Sequence, residues 1–301
     1  MRVLITGGSG LIGRPLSAAL AAAGHEVIVL SRDPGRVRNL PSGVRAEGWD
    51  GATAAGWGPL VEGAAVIHLA GENVGERRWT QAQKKRIYDS RIRTGEAVLA
   101  AVEQAEVKPR VLLQASGVGY YGNRGDELVT EETGPGTDFL AEVCRDWEAV
   151  TEEVEEMGVR RPILRTGVVL ARESGALPKM ALPFRFFIGG PVGQGRQWVP
   201  WIHVEDEVRA ICLLLEDERA RGPYLLAAPE PLRSRDFARA LGQALSRPSF
   251  MPVPPFLLRL AVGEIAEMLL GGQRAQPRRL LELGFRFRFE TAEPALADLL
   301  G

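Results

Sequence analysis

Short apolar runs alternate along the chain with longer segments in which apolar residues recur at helical spacing. Helices are predicted over 11–24, 79–104 and 137–157. Strands are predicted at "RVLIT" (2–6), "EVIVLSR" (26–32), "VRAEGWD" (44–50), "AAVIHLAG" (64–71) and "RVLLQAS" (110–116). The runs lack polar alternation, which is typical of strands buried on both faces and therefore paired in parallel. The pattern predicts an α/β fold built on a doubly wound parallel sheet.

The second half of the chain is less regular. A further strand is predicted over 159–170, and beyond about residue 171 prolines at 178, 183, 191 and 200 interrupt the pattern. Helices are predicted again near 205–217, 234–246, 255–270 and 277–283. We therefore expect a nucleotide-binding domain over 1–170. A later segment, about 198–228, is expected to form part of the same domain. Residues 171–301 are expected to form a smaller, mostly helical substrate lobe.

Composition excludes several classes of partner and points to the cytoplasm. The formal net charge is −1, which gives no general attraction to nucleic acid or to anionic membranes. No apolar run approaches the ~18 residues of a membrane span, and Val3–Ile5 is too short for a signal peptide. Cys144 and Cys212 have no CxxC spacing, so reduced thiols are expected. The three histidines have no metal-ligand spacing, and no metal site is predicted.

A glycine-rich turn joins the first predicted strand to the first predicted helix. The stretch "ITGGSGLIG" places Gly7, Gly10 and Gly13 there, with a second strand about 20 residues on. Glycine permits a tight turn and lets the backbone approach a pyrophosphate, which then lies on the helix N-terminus. The context predicts a Rossmann-type dinucleotide site rather than a simple turn.

The end of the second strand favours NADP(H) over NAD(H). An acidic residue usually accepts from the ribose hydroxyls of NAD at this place. Here the chain offers Ser31 and Arg32, with Arg36 further on, and a guanidinium suits a 2′-phosphate. Asp33 would be the ribose acceptor if the register slipped by one residue. Asp50, at the end of the third strand, is expected to accept from the adenine amino group.

Several motifs together resemble the extended short-chain dehydrogenases/reductases, which include nucleotide-sugar epimerases and dehydratases. They are TGGxGxIG, "HLAG" (68–71), Ser116 after the fifth strand and "PWIHVEDEVRAI" (200–211). The stretches "ASGVGYYG", "DFLAEVCRDWE" and "RAQPRRLLELGFRF" are similar to one atypical subgroup, whose members are named epimerase family protein or SulA-type cell-division inhibitor. A small C-terminal domain, here about 250–298, marks that subgroup.

The resemblance implies positions for the cofactor. Gly7, Gly10, Leu11, Ile12 and Gly13 would hold the pyrophosphate, Ser31 and Arg32 the 2′-phosphate, and Asp50 the adenine. Leu69, Ala70 and Gly71 would line the adenosine-ribose side, and Ser90 would lie near the cofactor. Ser116 would lie in the same pocket, and Arg165, Gly167 and Val168 would pass beside the nicotinamide.

The catalytic pair of that family is missing from this chain. Family members carry a Ser, followed on the next helix by a YxxxK pair that shuttles a proton. The four tyrosines, at 88, 120, 121 and 224, have no lysine four residues later. Aligned on Glu148, the Tyr and Lys positions hold Leu140 and Cys144, and a shift by one gives Phe139 and Val143.

Several residues are candidates to replace the missing Tyr–Lys pair as the proton donor. Tyr120 and Tyr121, four and five residues after Ser116, are candidates for proton transfer or for an aromatic pocket wall. Cys144 and Glu72 are further candidates. His203 is expected to end a strand and orient the lobe rather than to react.

A basic cluster follows the fourth strand. The cluster would either hold a phosphate-bearing substrate or form a solvated helix face. It consists of Arg77, Arg78, Lys84, Lys85 and Arg86.

The sequence is compatible with two functions. The protein is expected to be either an NADP(H)-dependent epimerase or reductase acting on an unidentified small molecule, or a catalytically silent NADP(H) sensor. The protein is expected to be a monomer or a homodimer.

Overall fold

A seven-stranded parallel sheet forms the centre of the computed structural model, which describes residues 1–37 and 40–301. The strands in chain order are β1 (Arg2–Thr6), β2 (Glu26–Ser31), β3 (Val44–Gly48), β4 (Ala65–His68), β5 (Val111–Gly117), β6 (Leu128–Val129), β7 (Pro162–Thr166), β8 (Val168–Leu170), β9 (Trp198–Val199), β10 (Trp201–His203), β11 (Gly222–Leu226), β12 (Leu232–Arg233) and β13 (Arg274–Ala275). The main sheet has the order β11-β7-β5-β4-β1-β2-β3, and all its pairings are parallel. The predicted doubly wound α/β fold is confirmed.

Helices cover both faces of this sheet. They are α1 (Gly13–Ala22), α2 (Gln81–Gln104), α3 (Phe139–Ala149), α4 (Leu177–Arg185), α5 (Val204–Glu216), α6 (Ser234–Ala244), α7 (Pro255–Val262), α8 (Ile265–Leu270), α9 (Arg278–Glu282) and α10 (Ala292–Leu300). Helix α1 packs beside α5, and α2 packs beside α3. Helices α1 and α5 share one buried apolar cluster with the sheet, and α2 belongs to a second cluster with different sheet residues, so α1 and α5 cover one face and α2 the other.

The strand order places a ligand-binding edge at β1 and β4. The chain builds β2 and β3 on one side of β1 and then crosses to β4 on the other. At such a reversal the loops after the two central strands diverge and leave a crevice at the carboxyl edge of the sheet. The glycine turn after β1 and the "HLAG" segment after β4 both lie at this edge.

Several elements differ from the prediction, among them strand β11 of the main sheet, which was not predicted. The strand expected over 159–170 divides at Gly167 into β7 of the main sheet and β8, which pairs with β10. A Cβ at Gly167 would lie 2.4 Å from the Pro200 carbonyl oxygen, so the turn requires glycine. The helix expected over 255–270 divides at Gly263, which has φ +65°. Helices α4 and α10 were not predicted.

Candidate functional site

The glycine turn leaves no room for a side chain at Gly7 or Gly13. A Cβ at Gly7, whose φ is +71°, would lie 2.9 Å from the carbonyl carbon and oxygen of Leu69. A Cβ at Gly13 would lie 2.4 Å from the Cα of Gly8. Leu11 and Ile12 occupy the turn directly before α1, and the Arg14 N–H in its first turn already donates to the Gly10 carbonyl at 3.1 Å. These residues form a cradle that suits a pyrophosphate on a helix N-terminus.

Thr6 fixes the segment after β4 against this turn. Its Oγ1 accepts from the N–H groups of Leu69 and Ala70, both at 3.1 Å, and lies 2.7 Å from Nδ1 of His68. Burial lowers the pKa of His68 to about 3, so its ring is neutral. The predicted residues Leu69, Ala70 and Gly71 therefore lie beside the glycine turn, with Leu69 in direct contact with Gly7.

The end of β2 presents an exposed guanidinium. Ser31 Oγ accepts from the Asp33 N–H at 3.2 Å, and Arg32 is exposed. A Cβ on Gly51 would lie 3.5 Å from Cδ of Arg32, so the stem of Arg32 runs along the loop after β3. The side chain of Arg36 lies outside the described part of the chain.

Asp50 is engaged by its own loop. Its Oδ1 accepts from the N–H groups of Ala52 and Thr53, both at 2.8 Å, and its Oδ2 accepts from the Thr53 hydroxyl at 2.6 Å. These bonds, that of the Thr53 hydroxyl first, lower the pKa of Asp50. A carboxylate offers about four acceptor positions, so capacity remains for one more donor. The adenine contact stays a prediction.

Ser116 points into a buried ion pair. Its Oγ donates to Oε1 of Glu148 at 2.6 Å. Arg165 binds the same carboxylate with two nitrogens, Nε to Oε1 at 2.9 Å and Nη2 to Oε2 at 2.8 Å. All three residues are buried. Because the single hydroxyl proton of Ser116 goes to Glu148, this serine has none to donate to a substrate.

Tyr121 belongs to the same network. Nη1 of Arg165 donates to Tyr121 Oη at 3.0 Å and to the carbonyl oxygen of Glu131 at 3.2 Å. Burial raises the pKa of Tyr121, whose side chain is fully inaccessible to solvent. Burial alone would lower the pKa of Arg165, but the hydrogen bonds and charge of Glu148 raise it overall. Tyr121 therefore stays neutral and Arg165 stays charged near neutral pH.

Tyr120 stacks on the same guanidinium. Cζ of Arg165 lies 3.5 Å from the centroid of the Tyr120 ring, and the two tyrosine rings meet edge to face at 5.3 Å. Tyr120 is half-buried, so part of its ring remains accessible. Of the predicted catalytic residues, Ser116 and Tyr121 are internal, and Tyr120 alone reaches the surface of the site.

The positions of the missing catalytic pair form an apolar surface. A Cβ on Gly119 would lie 3.1 Å from Cβ of Leu140 and 3.7 Å from Sγ of Cys144. A Cβ on Gly117 would lie 3.9 Å from the same sulfur. Burial raises the pKa of the Cys144 thiol to about 11, so it is neutral at physiological pH. These four residues offer no group that exchanges a proton near pH 7.

Sequence reasoning missed the partner of Ser116 and the role of Gly117. In the sequence, Glu148 was used only to align the positions of the missing Tyr and Lys. In the structure its carboxylate accepts hydrogen bonds from both Ser116 and Arg165. Side chains alternate across a strand, so Ser116 and Gly117 face opposite sides of β5. Both residues nevertheless reach the Cys144 thiol, Ser116 through its side chain and Gly117 through its backbone.

The remaining predicted cofactor residues have local partners. Ser90 Oγ accepts from the Glu72 N–H at 2.9 Å and donates to the Ile87 carbonyl at 3.0 Å. The Val168 N–H donates to the Pro200 carbonyl at 2.6 Å, directly after Gly167. Ser90 thus fixes the loop after β4, and Val168 fixes the turn after β7.

Most of the basic cluster is bound within the protein. Arg78 donates to the carbonyls of Leu260 and Ala261, and Lys84 pairs with Glu264. Lys85 pairs with Asp89 at 2.7 Å, and Arg86 Nε donates to Gln83 Oε1 at 3.1 Å. Arg77, the fifth residue of the cluster, is exposed.

His203 orients the lobe, as its position suggested. Its Nδ1 accepts from the Glu205 N–H at 3.1 Å at the start of α5, and its Nε2 lies 3.3 Å from Asp298 on α10. Its ring stacks on Phe289 at 4.0 Å.

In residues 1–37 and 40–301, none of the helices is long and apolar enough to span a membrane.

Comparison with known proteins identifies the family. A model described as the NAD dependent epimerase/dehydratase family matches residues 3–227, and a domain of unknown function, DUF1731, matches 253–299. The chain is 41% identical over 297 residues to epimerase family protein ML0860 of Mycobacterium leprae, covering 98% of this chain and 94% of that protein. It is 37% identical over 305 residues to epimerase family protein SDR39U1 of Bos taurus, covering both chains completely.

A solved structure extends the comparison to three dimensions. Human epimerase family protein SDR39U1 (isoform 2), crystallised with NADPH, superposes with a TM-score of 0.90 at 34% identity, covering 100% of this chain and 99% of that one. The names of these relatives give no support to the SulA-type cell-division inhibitor name, which we withdraw. The chain belongs to the NAD dependent epimerase/dehydratase family of extended short-chain dehydrogenases/reductases and ends in a DUF1731 domain.

Proposed function

We propose that the protein binds NADP(H) at the edge formed by β1, β2 and β4 and acts as an NADP(H)-dependent oxidoreductase on a small molecule. The observation that carries the proposal lies at the ends of β1 and β2. A turn without room for side chains is followed, one strand further on, by a hydroxyl and an exposed guanidinium. The human relative crystallised with NADPH supports the choice of cofactor.

The residues present fit this cofactor. Gly7, Gly10, Leu11, Ile12 and Gly13 would hold the pyrophosphate, and Ser31 and Arg32 would hold the 2′-phosphate. Two charge-assisted hydrogen bonds from a guanidinium to a phosphate give both affinity and selectivity against NAD(H). Asp50 and the segment Leu69–Gly71 would complete the adenosine side, as the sequence predicts.

The chemistry would proceed without the family's proton shuttle. When bound, the nicotinamide supplies or accepts hydride. Gly117, Leu140 and Cys144 would leave the reacting carbon beside an apolar wall, so a proton would come from solvent or from the substrate itself. A positioned general acid contributes about 10² to 10⁴ in rate, and we expect turnover to be slower by that factor.

The cofactor proposal is tested by titrating NADPH and NADH into the protein and its Arg32→Ala variant, with calorimetric detection. A charged hydrogen bond contributes about 1.5–3 kcal/mol, so Arg32→Ala is expected to weaken NADPH binding by about 10- to 100-fold and to leave NADH unchanged. Arg239→Ala, which removes an equally exposed arginine from α6, serves as the control. Equal affinities for NADPH and NADH in the unmodified protein would refute the proposal.

A second function is favoured by the apolar surface at Leu140 and Cys144. A protein that binds NADP(H) without a proton donor could report the state of the cofactor pool instead of turning over a substrate. NADPH oxidation assayed against a panel of carbonyl compounds and nucleotide sugars distinguishes the two functions. Tight NADPH binding with no turnover on any member of the panel would favour the sensor.

A further inference from the structure

Helix α7 is apolar but has no buried residue. Its eight residues read PFLLRLAV, and Phe256 and Leu260 are 67% and 72% exposed. Helices of folded proteins normally turn an apolar stripe toward the core, because burial of apolar side chains is what stabilises them. A contiguous exposed apolar patch marks a binding surface. The face of α7 therefore lacks an occupant that would bury it.

Helix α7 is held beside the apolar surface of the site. Arg78, just before α2, donates through Nε and Nη2 to the Ala261 carbonyl at 3.1 and 2.8 Å. Lys84 pairs with Glu264 directly after α7 and lies 5.2 Å from the centroid of the Phe139 ring. Phe139 precedes Leu140, the residue at the missing tyrosine position. Two cations thus bind the exposed helix and the residue after Gly263 to the N-terminal end of α2, and one of them, Lys84, also contacts the start of α3.

Helix α4 supplies a second apolar face toward the same edge. Residues three and four apart share a face of a helix, so Lys179, Leu182 and Phe186 point in one direction. Lys179 Nζ donates to the Gly75 carbonyl at 3.0 Å, which turns this face toward the loop after β4. Leu182 and Phe186 on the same face are 53% and 68% exposed.

Two of the cations near this edge are already engaged, whereas their neighbour Arg77 is exposed. Arg78 and Lys84, which a phosphate-bearing substrate would need, are bound to backbone carbonyls and to Glu264. Recognition of a phosphate depends on charge-assisted bonds from available cations, whereas an apolar molecule gains from each hydrophobic side chain that it covers. The chemistry at this edge therefore matches an apolar ligand better than a nucleotide sugar.

We infer that the substrate site takes an apolar small molecule, whose body lies against Leu182 and Phe186 of α4 and Phe256 and Leu260 of α7. This inference rests on the proposed function, since it names the substrate class of the same site. The reacting end of the ligand reaches the surface formed by Leu140 and Cys144. Binding by apolar contact also explains a site that provides no acid near its reacting edge.

The test uses the neutral fluorescent probe N-phenyl-1-naphthylamine with protein saturated with NADP⁺. We compare the unmodified protein with two double variants, Leu182→Ser with Phe186→Ser, and Phe256→Ser with Leu260→Ser. All four side chains are exposed, so the variants are expected to fold, which thermal melting verifies. Val107→Ser, 60% exposed beyond the far end of α2, is the matched control.

We expect each double variant to bind the probe about tenfold more weakly or worse, because apolar area is lost on each side. The control and excess UDP-glucose are expected to leave probe binding unchanged. Unchanged affinity in both double variants, or displacement of the probe by UDP-glucose, would overturn the inference. So would a dimer in sedimentation velocity that the double variants convert to monomers, since the face would then be covered by a second copy.

Calorimetric titration with NADP⁺ separates this inference from the proposed function. Probe binding that depends on the four side chains, without NADP⁺ binding, would refute the proposed function and keep the apolar site. NADP⁺ binding without dependence of the probe on the four side chains would refute only the apolar site.

Discussion

Replacement of Ser116 by alanine distinguishes a structural serine from a catalytic one. The hydroxyl donates to Glu148 Oε1 at 2.6 Å inside a buried ion pair, and the residue is 8% exposed. We expect Ser116→Ala to destabilise the fold and to leave NADPH affinity and any NADPH-dependent turnover within twofold of the unmodified protein. A catalytic serine would give the opposite pattern.

The magnitude follows from the partners that remain. Hydrogen bonds to charged groups contribute about 1.5–3 kcal/mol to stability. Arg165 still donates to both oxygens of Glu148 in the variant, so the carboxylate keeps its main partner. We therefore expect a loss of about 2 kcal/mol in the free energy of unfolding, at the lower half of that range.

Urea unfolding measures this loss as a shift of the midpoint at an unchanged slope. A double-mutant cycle with Glu148→Gln isolates the hydrogen bond, since both single variants remove the same charged interaction. Loss of one member of a buried ion pair costs about 3–5 kcal/mol, so Glu148→Gln is expected to be the more damaging change. Unchanged stability of Ser116→Ala, together with lost turnover, would refute the structural role.

Two further predictions concern the glycine turn and a buried acid. Gly13→Ala would place a Cβ 2.4 Å from Cα of Gly8, and we expect more than 100-fold weaker NADPH binding by fluorescence titration, whereas Gly134→Ala, exposed and with nothing within 4 Å, keeps binding. Burial raises the pKa of Glu207 from 4.5 to about 8. The native state then keeps a proton that the unfolded chain releases, so the contribution of Glu207 to stability is fully present below pH 4.5 and is lost as the pH rises to 8, by up to about 5 kcal/mol. Urea unfolding at pH 5.5 and 8 should show this fall in the unmodified protein and in Glu205→Gln but not in Glu207→Gln; an equal fall in all three would contradict it.

The sheet could be predicted because its strands are uninterrupted apolar runs. The break at Gly167 was not visible in the sequence, since it depends on Pro200 and Leu226, whose carbonyls face it from distant segments. Helix α4 was missed because it contains Pro178 and Pro183. Pro178 lies in the first turn, where the N–H groups of a helix have no partner within the helix. A proline is therefore tolerated at that position, although proline usually indicates that a helix is absent.

The site could be predicted in part. The glycine turn could be predicted because the spacing of its glycines, the strand before it and the helix after it are all adjacent in the sequence. The nine residues "ITGGSGLIG" are therefore enough to predict a pyrophosphate-binding turn. The role of Ser116 depends on Glu148 and Arg165, which are 32 and 49 residues away, and no local signal marks that pairing. The fixed charges around Tyr121 are also a product of tertiary burial, which the residue type alone does not reveal.

Residues 280–287 complete a core that β1 begins. Leu280, Phe285 and Phe287 lie in one buried cluster with Val3 and Ile5 of β1. During synthesis this cluster therefore cannot close until residues 280–287 have been added. Contacts of such sequence separation slow folding, and the apolar face of the first strand stays exposed to association until they form.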